Sequence, residues 1–203
     1  MDYQTITFDI TSDIAVITLN RPDVMNALNT QLRLDITHAI KTAEADARVV
    51  VMTGAGRSFC SGQDLAEGGS AAALDLAGTL RDEYVPMLKA IFDCKIPTIA
   101  AVNGPAAGAG ANLALAADVV IASHDAFFLQ AFTRIGLIPD AGGTYWLPRQ
   151  IGAARAMGAA LVADKISAQQ AADWGMIYEA VPAGTVAEEW HARGGRLAKG
   201  AAT

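Results

Sequence analysis

Three short, mostly apolar runs separated by helical patterns constrain the fold of this chain more than any other feature. They lie at 48–53, 97–102 and 119–122. Runs of this length, rich in Val, Ile and Ala, are typical of strands that are buried on both faces of a parallel sheet. Because parallel strands need crossover connections, the runs predict an α/β fold in which strands and helices alternate.

The remaining elements follow from hydrophobic periodicity along the chain. In chain order, we predict strands at 3–8 and 14–19 joined as a hairpin, helices at 30–46, 80–92 and 109–116, and a mostly helical region after Gly143 with one extended piece at 176–181. The small polar segment 68–77 is predicted to be a mobile loop.

The composition predicts one globular domain spanning 1–203, with a core at about 1–183. Of the 203 residues, 52% are hydrophobic and 18% are charged, which is typical of a folded chain rather than a disordered one. Residues 184–203 are expected to begin a C-terminal helical region. The abrupt end of the tail at 197–203 indicates that this helical part is truncated.

Charge and cysteine usage disfavour several classes of protein. The formal net charge is −6, whereas a broad nucleic-acid surface needs a basic excess. Cys60 and Cys94 lack the spacing of a zinc or redox motif, and the scattered His38, His124 and His191 indicate no metal site. The N-terminus does not resemble a signal peptide, and no apolar run reaches the roughly 18 residues that span a bilayer. We therefore expect a reduced, cytoplasmic setting with no nucleic-acid or membrane partner.

A glycine-rich turn at 53–65 follows the first buried run. Its beginning is similar to a dinucleotide-binding fingerprint, but the third glycine would fall at Phe59 and no helix begins there. Phe59 also stands where a nucleophile elbow around Ser61 would require glycine. Cys60 has no neighbouring base in the sequence, so a small buried side chain is the favoured interpretation.

A second turn of small residues, at 103–112, follows the buried run 97–102 and leads into a helix. Small residues let a ligand approach the backbone, and the first N–H groups of a helix have no partner within it. A tight crossover packed against the sheet explains the composition equally well. Together, two such turns could aim two backbone donors at one oxygen, an oxyanion hole that suits an enolate formed from a thioester.

Four stretches of the chain carry a resemblance to a known family. They are 17–22 with 26–29, then 54–65, 101–110 and 136–144. In this order and spacing the chain resembles the crotonase, or enoyl-CoA hydratase/isomerase, superfamily over essentially its whole length. The resemblance implies a crotonase-like spiral of ββα units, coenzyme A thioester substrates, no prosthetic group, and assembly into homotrimers or hexamers.

The resemblance also implies the residues of the site. The two oxyanion donors would be the backbone N–H groups of Ser61 and Ala109. The residues implied to line the coenzyme A moiety are Val24, Asn26, Ala27, Leu28, Ser61, Gly62, Gln63, Asp64, Leu65 and Gly108. Those expected to contact the acyl group are Asn112, Phe132, Ile138 and Pro139.

The chain lacks the two catalytic glutamates that are part of the family pattern in hydratases. Hydratases of the family use two glutamates to position and activate water, and the corresponding positions here hold Asn112 and Phe132. One acid remains in a motif, Asp140, and isomerases of the superfamily work with one carboxylate that moves a proton between two carbons. Taken alone, an Asp after proline is typical of a turn. With the resemblance, we expect Asp140 to be the catalytic acid/base, its pKa raised by Phe132, Leu137 and Ile138.

A narrower resemblance covers 131–140, 146–149, 153–158 and 174–177. These segments are similar to the phenylacetate-degradation branch, whose members convert ring-1,2-epoxyphenylacetyl-CoA to oxepin-CoA and shift double bonds of enoyl-CoA. We therefore expect an isomerase. A hydratase with altered chemistry, and a non-catalytic homologue that binds acyl-CoA or a protein partner, are the alternatives.

Overall fold

The structure, a computed structural model, describes residues 2–67 and 75–200. The strands are β1 (Ile6–Thr11), β2 (Ile14–Leu19), β3 (Val49–Gly54), β4 (Thr98–Val102), β5 (Ala106–Ala107), β6 (Val119–Ser123), β7 (Phe127–Leu129), β8 (Ile166–Ser167) and β9 (Glu179–Val181). The helices are α1 (Thr30–Asp46), α2 (Leu76–Thr79), α3 (Val85–Phe92), α4 (Ala109–Leu115), α5 (Gly143–Val162), α6 (Ala168–Asp173) and α7 (Val186–Lys199).

A six-stranded sheet in the order β1-β2-β3-β4-β6-β9 forms the centre of the molecule. β1 and β2 pair antiparallel, and all the other neighbours in this sheet pair parallel. A smaller sheet, β5-β7-β8, lies beside it. The predicted α/β class is confirmed, because the three apolar runs are adjacent strands connected through helices.

The N-terminal hairpin begins three residues later than predicted. The amides of Gln4 and Thr5 both donate to Asp35 Oδ2 at 3.0 Å, so they are not part of the strand ladder. The turn at Ser12 and Asp13 has positive φ at both residues, 53° and 65°. Such a two-residue turn matches the right-handed twist of the paired strands.

Helix α1 has the bounds that its periodicity predicts. The Asn29 side chain caps it by accepting from the Leu32 amide at 2.9 Å, which satisfies one of the amides left without a partner at a helix start. Leu32, Ile36 and Ile40 are buried in the larger core cluster of the sheet.

The helical segment before β4 is more complex than predicted. A π-helical turn at Leu80–Tyr84 precedes α3, so the helix predicted at 80–92 is present but not uniform. Most of the loop predicted at 68–77 lies outside the described residues, as do the last three residues of the tail. None of the helices in the described ranges is long and apolar enough to cross a membrane.

Helix α7 covers the second face of the sheet, which extends the core beyond its predicted end at about residue 183. Val186, Trp190 and Ala198 are buried in one cluster with Val51 and Ile99 of the central strands. The helical region predicted to begin at 184 corresponds to α7, which packs onto the sheet. Without this helix, the apolar residues on that face of β3 and β4 would be exposed to water.

We expect Asp35→Asn to lower the free energy of unfolding at pH 7 by about 2 kcal/mol, because it weakens charge-assisted hydrogen bonds. Burial alone would raise the pKa of Asp35, but hydrogen bonds from Thr5, Gln31 and Gln4 outweigh it and hold the pKa below its ordinary value. This stabilisation is present above the unfolded pKa of about 4 and is lost as the pH falls further.

Urea unfolding at pH 7 and at pH 3 measures the effect of this variant, with Asp46→Asn at the exposed end of α1 as the matched control. The two variants should differ at pH 7 and converge towards wild type at pH 3. Equal stability of Asp35→Asn and wild type at pH 7 would show that the buried carboxylate does not anchor the hairpin.

Candidate active site

The two glycine-rich turns lie side by side at the carboxyl ends of β3 and β4. Cys60 and Ala106 form a parallel bridge, and the Ala107 amide donates to the Cys60 carbonyl at 3.0 Å. A Cβ added at Gly110 would lie 2.3 Å from that carbonyl oxygen. The turns can therefore approach this closely only because glycine stands at position 110.

The Ser61 amide does not point into a site, so the prediction that it is an oxyanion donor is wrong. It donates to the Met25 carbonyl at 3.0 Å. Met25 follows a 3-10 turn at Pro22–Val24 and has a left-handed φ of 53°, which turns its carbonyl towards the loop. No pattern in the sequence reveals this pairing, because the acceptor comes from a distant turn.

The Gln63 amide in the first turn is left free for a ligand. The backbone groups on either side of it are both hydrogen-bonded to Leu28. The Leu28 amide donates to the Gly62 carbonyl at 2.8 Å, and the Leu28 carbonyl accepts from the Asp64 amide at 3.1 Å. Within the described residues, the Gln63 amide itself has no acceptor. It lies on a segment that lines a cavity and is available to a ligand.

The Ala109 amide, at the first position of α4, borders the same cavity. It has no acceptor in the part of the chain that the structure describes. Gly62 has a φ of +97°, and a Cβ added there would lie 3.4 Å from the Ala109 nitrogen and 2.8 Å from the Ala107 carbonyl. The predicted donor position at Ala109 is thus next to the first turn.

A cavity of about 300 Å³ opens in front of these amides. Its walls are mainly apolar and come from both turns, the helical segment at 76–84 and the loop before α5. The lining residues are Ser61, Gly62, Gln63, Leu65, Leu76, Thr79, Leu80, Tyr84, Gly108, Ala109, Ala131, Phe132, Arg134, Ile135, Leu137 and Asp140. The sequence does not predict Leu80 and Tyr84 as lining residues, because nothing in their helical pattern indicates that they face a ligand.

Asp140 lies in the cavity wall and is its only carboxylic acid among the described lining residues. Its Oδ1 is buried and has no hydrogen-bond partner within the described residues. Burial raises the pKa of Asp140 to about 6. A carboxyl group with such a pKa can both accept and return a proton near neutral pH.

Asn112 holds Asp140 in place but does not line the cavity, which corrects the prediction that it contacts the acyl group. Asn112 is fully buried, and its Nδ2 donates to the Asp140 backbone carbonyl at 2.8 Å. Gln130 Nε2 in turn donates to Asn112 Oδ1 at 2.9 Å, which fixes the orientation of the Asn112 amide. The same Asp140 carbonyl accepts from the Gly143 amide at 2.8 Å.

Two residues of the predicted coenzyme A segment have structural side chains. Asn26 is fully buried, and its amide group bonds to the backbone of Arg21, Ala55 and Ser58. Leu28 is fully buried as well. The predicted contact of these two residues with coenzyme A would therefore have to come from their backbone.

The other residues predicted to line coenzyme A differ in how far they are exposed to solvent. Val24 and Leu65 are exposed apolar side chains, and Gly108 lines the cavity with Gly62. Ala27 is buried, and its carbonyl accepts a hydrogen bond from Arg21 Nη1. The same Arg21 nitrogen forms an ion pair with Asp64 at 2.9 Å. Ala27 and Asp64 therefore shape the loop.

The acyl-contacting residues predicted around Asp140 divide between two surfaces. Phe132 is buried and lines the cavity with Leu137. Ile138 is 77% exposed and, with Pro139, lines a separate groove against α5. The prediction that Ile138 and Pro139 contact the same ligand as Phe132 is wrong, because the chain turns away from the cavity at these positions.

Cys60 is the buried side chain that the sequence favours. It is fully buried, and burial raises the pKa of its thiol to about 12. A thiol with that pKa is protonated near neutral pH and is a poor nucleophile. Cys60 therefore packs the two turns together rather than reacting.

Comparison with known proteins identifies the family. The sequence profile described as enoyl-CoA hydratase/isomerase matches residues 9–203. The chain belongs to this family. A protein of Rhodobacter capsulatus named a probable enoyl-CoA hydratase is 60% identical over 200 residues, covering 98% of this chain and 77% of that protein. The 1,2-epoxyphenylacetyl-CoA isomerase of Escherichia coli is 44% identical over 180 residues, covering 86% and 69%.

Solved structures of enoyl-CoA hydratases share the fold of this family member. The one from Mycobacterium avium subsp. paratuberculosis has a TM-score of 0.91 at 33% identity, covering 100% of this chain and 81% of that one. The one from Bacillus anthracis has a TM-score of 0.89 at 32% identity, covering 97% and 78%. The crotonase-like fold predicted from the sequence is confirmed.

The buried carboxyl of Asp140 should reduce the stability of the folded protein. Its folded pKa of about 6 lies above the unfolded value, so the group costs no stability below the unfolded pKa, where it is protonated in both states. The cost grows as the pH rises from about 4 to about 6 and is constant above that. We expect Asp140→Asn, which removes this charge, to raise the free energy of unfolding at pH 8 by about 1–2 kcal/mol.

Urea unfolding of the Asp140→Asn protein at pH 8 and pH 4 provides the measurement. The increase in the free energy of unfolding over wild type should disappear at pH 4, where wild-type Asp140 is protonated. A gain that is equal at both pH values would mean that the burial of the charge is not its cause.

Proposed function

We propose that this protein is an acyl-CoA isomerase in which Asp140 moves a proton and the amides of Gln63 and Ala109 hold the thioester oxygen. The observation that carries the proposal is the position of Asp140, the only carboxylic acid among the described residues of an apolar cavity, beside two free backbone amides. A thioester carbonyl in this cavity would accept from both amides. Such donors stabilise an enolate more than the ground state, because negative charge develops on the oxygen.

In the proposed reaction the carboxylate of Asp140 takes a proton from C2 of a 3-enoyl thioester. The electron pair of the broken C2–H bond forms a double bond between C1 and C2, and the π pair of the carbonyl moves to the thioester oxygen. The resulting dienolate oxygen is held by the Gln63 and Ala109 amides. Protonated Asp140 then gives the same proton to C4. The double bond moves from C3–C4 to C2–C3, and no atom is gained or lost.

One acid suffices for this chemistry, whereas the addition of water requires a group to activate the water as well. The two positions at which family hydratases carry glutamates hold Asn112 and Phe132. Asn112 is committed to the Asp140 backbone, and Phe132 contributes an apolar ring to the cavity. These two substitutions favour isomerisation over hydration.

The acyl group that we propose is a flat ring, as in 1,2-epoxyphenylacetyl-CoA, or a 3-enoyl chain. Phe132 and Tyr84 place aromatic rings in a cavity whose other side chains are largely aliphatic, and aromatic groups pack well in such surroundings. The similarity to the Escherichia coli isomerase supports the same substrate class. The rearrangement of the epoxide to an oxepin also leaves the composition of the substrate unchanged.

Enoyl-CoA hydration is the second candidate function. It is favoured by the name of the Rhodobacter capsulatus relative, which is 60% identical to this chain. It requires water to be activated by Asp140 alone, since Asp140 is the only acid in the described cavity wall.

The proposal includes a cytoplasmic setting and an oligomer. Both Cys60 and Cys94 are free thiols, which suits a reducing compartment. Assembly into trimers or hexamers rests on membership in the family alone, and phenylacetate catabolism on the similarity to the Escherichia coli isomerase.

We expect Asp140→Asn to lower kcat for 3-enoyl-CoA isomerisation by about 10³-fold, since general acid–base catalysis contributes on the order of 10²–10⁴. In wild type, activity should rise as the pH passes through about 6, where Asp140 becomes an active base. Absorbance of the conjugated product measures the rate. Asp164→Asn, at an exposed acid outside the cavity, is the control. Wild-type kcat in Asp140→Asn would contradict the assigned base.

A second prediction separates isomerase from hydratase. Incubation of the protein with a 2-enoyl-CoA should give no product heavier by one water, because the described cavity wall holds no acid besides Asp140. With 1,2-epoxyphenylacetyl-CoA, the product should have the mass of the substrate and a changed absorption spectrum. Mass spectrometry of both reactions is the measurement, and rapid formation of a 3-hydroxyacyl-CoA would support the hydratase instead.

A further inference from the structure

A buried cation on α1 lies beside the peptide that carries one of the proposed oxyanion donors. The Arg33 side chain is 1% exposed. Its Nη1 donates to the Leu28 carbonyl at 2.6 Å and to Gln63 Oε1 at 3.0 Å, and its Nε donates to Glu83 at 2.8 Å. Since burial of a charge is costly unless it is paired, these bonds hold the guanidinium in one orientation.

Both groups that Arg33 Nη1 contacts control the Gln63 peptide. The Leu28 carbonyl also accepts from the Asp64 amide, and the Leu28 amide donates to the Gly62 carbonyl. Leu28 therefore ties down the groups on both sides of Gln63, and Arg33 ties down Leu28. The direction of the Gln63 amide follows from this arrangement.

Tyr84 completes the network from the cavity side. Its hydroxyl donates to Gln63 Oε1 at 2.7 Å, and the guanidinium carbon of Arg33 lies 4.9 Å from the centre of its ring. Burial raises the pKa of Tyr84, so the hydroxyl remains a donor near neutral pH. Gln63 Oε1 thus accepts two hydrogen bonds, which fix its side chain as well as its backbone.

We propose that Arg33 is a positioning residue for the oxyanion hole, which keeps the Gln63 amide aimed at the thioester oxygen by holding the Leu28 carbonyl and the Gln63 side chain. The inference rests on the proposed function, because it concerns the same thioester site. Lysine cannot replace Arg33, since a single ammonium lacks the planar fork that reaches Leu28, Gln63 and Glu83 together.

The test uses a saturated acyl-CoA with a ¹³C-labelled carbonyl, which binds but cannot isomerise. Hydrogen bonds from the two amides should shift the carbonyl stretch of the bound thioester to lower frequency in an infrared difference spectrum. Arg33→Lys should lose half or more of this shift, and Tyr84→Phe a smaller part. Asp140→Asn should keep all of it, because the base does not contact the carbonyl oxygen.

Turnover supplies a second readout. Misalignment of one donor should lower the kcat of Arg33→Lys about 10-fold and leave KM within about 3-fold, since the lost interaction acts mainly in the transition state. Arg193→Lys is the matched control, because Arg193 forms ion pairs with Glu179 and Glu189 far from the cavity. It should retain the wild-type spectrum and wild-type kcat.

The outcomes separate this inference from the proposed function. A wild-type carbonyl band that does not move on binding overturns the oxyanion hole and the role of Arg33 with it. A shift that is present in wild type and equal in Arg33→Lys and Tyr84→Phe overturns only the role of Arg33. If Arg33→Lys does not fold, the carbonyl shift in Tyr84→Phe tests the role of the network, because this variant keeps the buried charge and removes one hydrogen bond to Gln63. A shift equal to that of wild type would then overturn the inference.

Discussion

The pairing of two backbone turns is the contact on which the rest of the site depends. Cys60 and Ala106 lie in a parallel bridge, and Gly110 packs where any side chain would collide with the Cys60 carbonyl. This pairing places the Gln63 and Ala109 amides on the same cavity. Because both proposed donors are backbone groups, their positions depend on the packing of the turns and not on side-chain identity.

The carboxyl of Asp140 is maintained at a cost that the surrounding structure offsets. Its Oδ1 has no partner within the described residues, yet its backbone carbonyl accepts from both Asn112 and Gly143. The loop is therefore held through its backbone, which leaves the carboxyl free for the proposed proton transfer. Since Asn112 is itself fixed by Gln130, the position that corresponds to a catalytic acid in family hydratases here supports the loop that carries Asp140.

How much could be predicted depended on the range of the interactions involved. Helix α1 was predictable because its periodicity and its Asn29 cap are local. The start of β1 was not, since Asp35 removes two amides from the ladder. In the site, Asp140 could be singled out only through the family resemblance, whereas the choice between the Ser61 and Gln63 amides depends on a carbonyl from the distant Met25.

The sequence by itself determined the alternation of strands and helices, the two glycine-rich turns and the presence of one acid where hydratases have two. These properties are carried by residue type and local spacing. Only the tertiary structure decided which amides are free, which predicted side chains are buried, and that Arg33 reaches the Gln63 peptide. Each of these depends on which groups from distant parts of the chain satisfy one another's hydrogen bonds, and local sequence does not encode that choice.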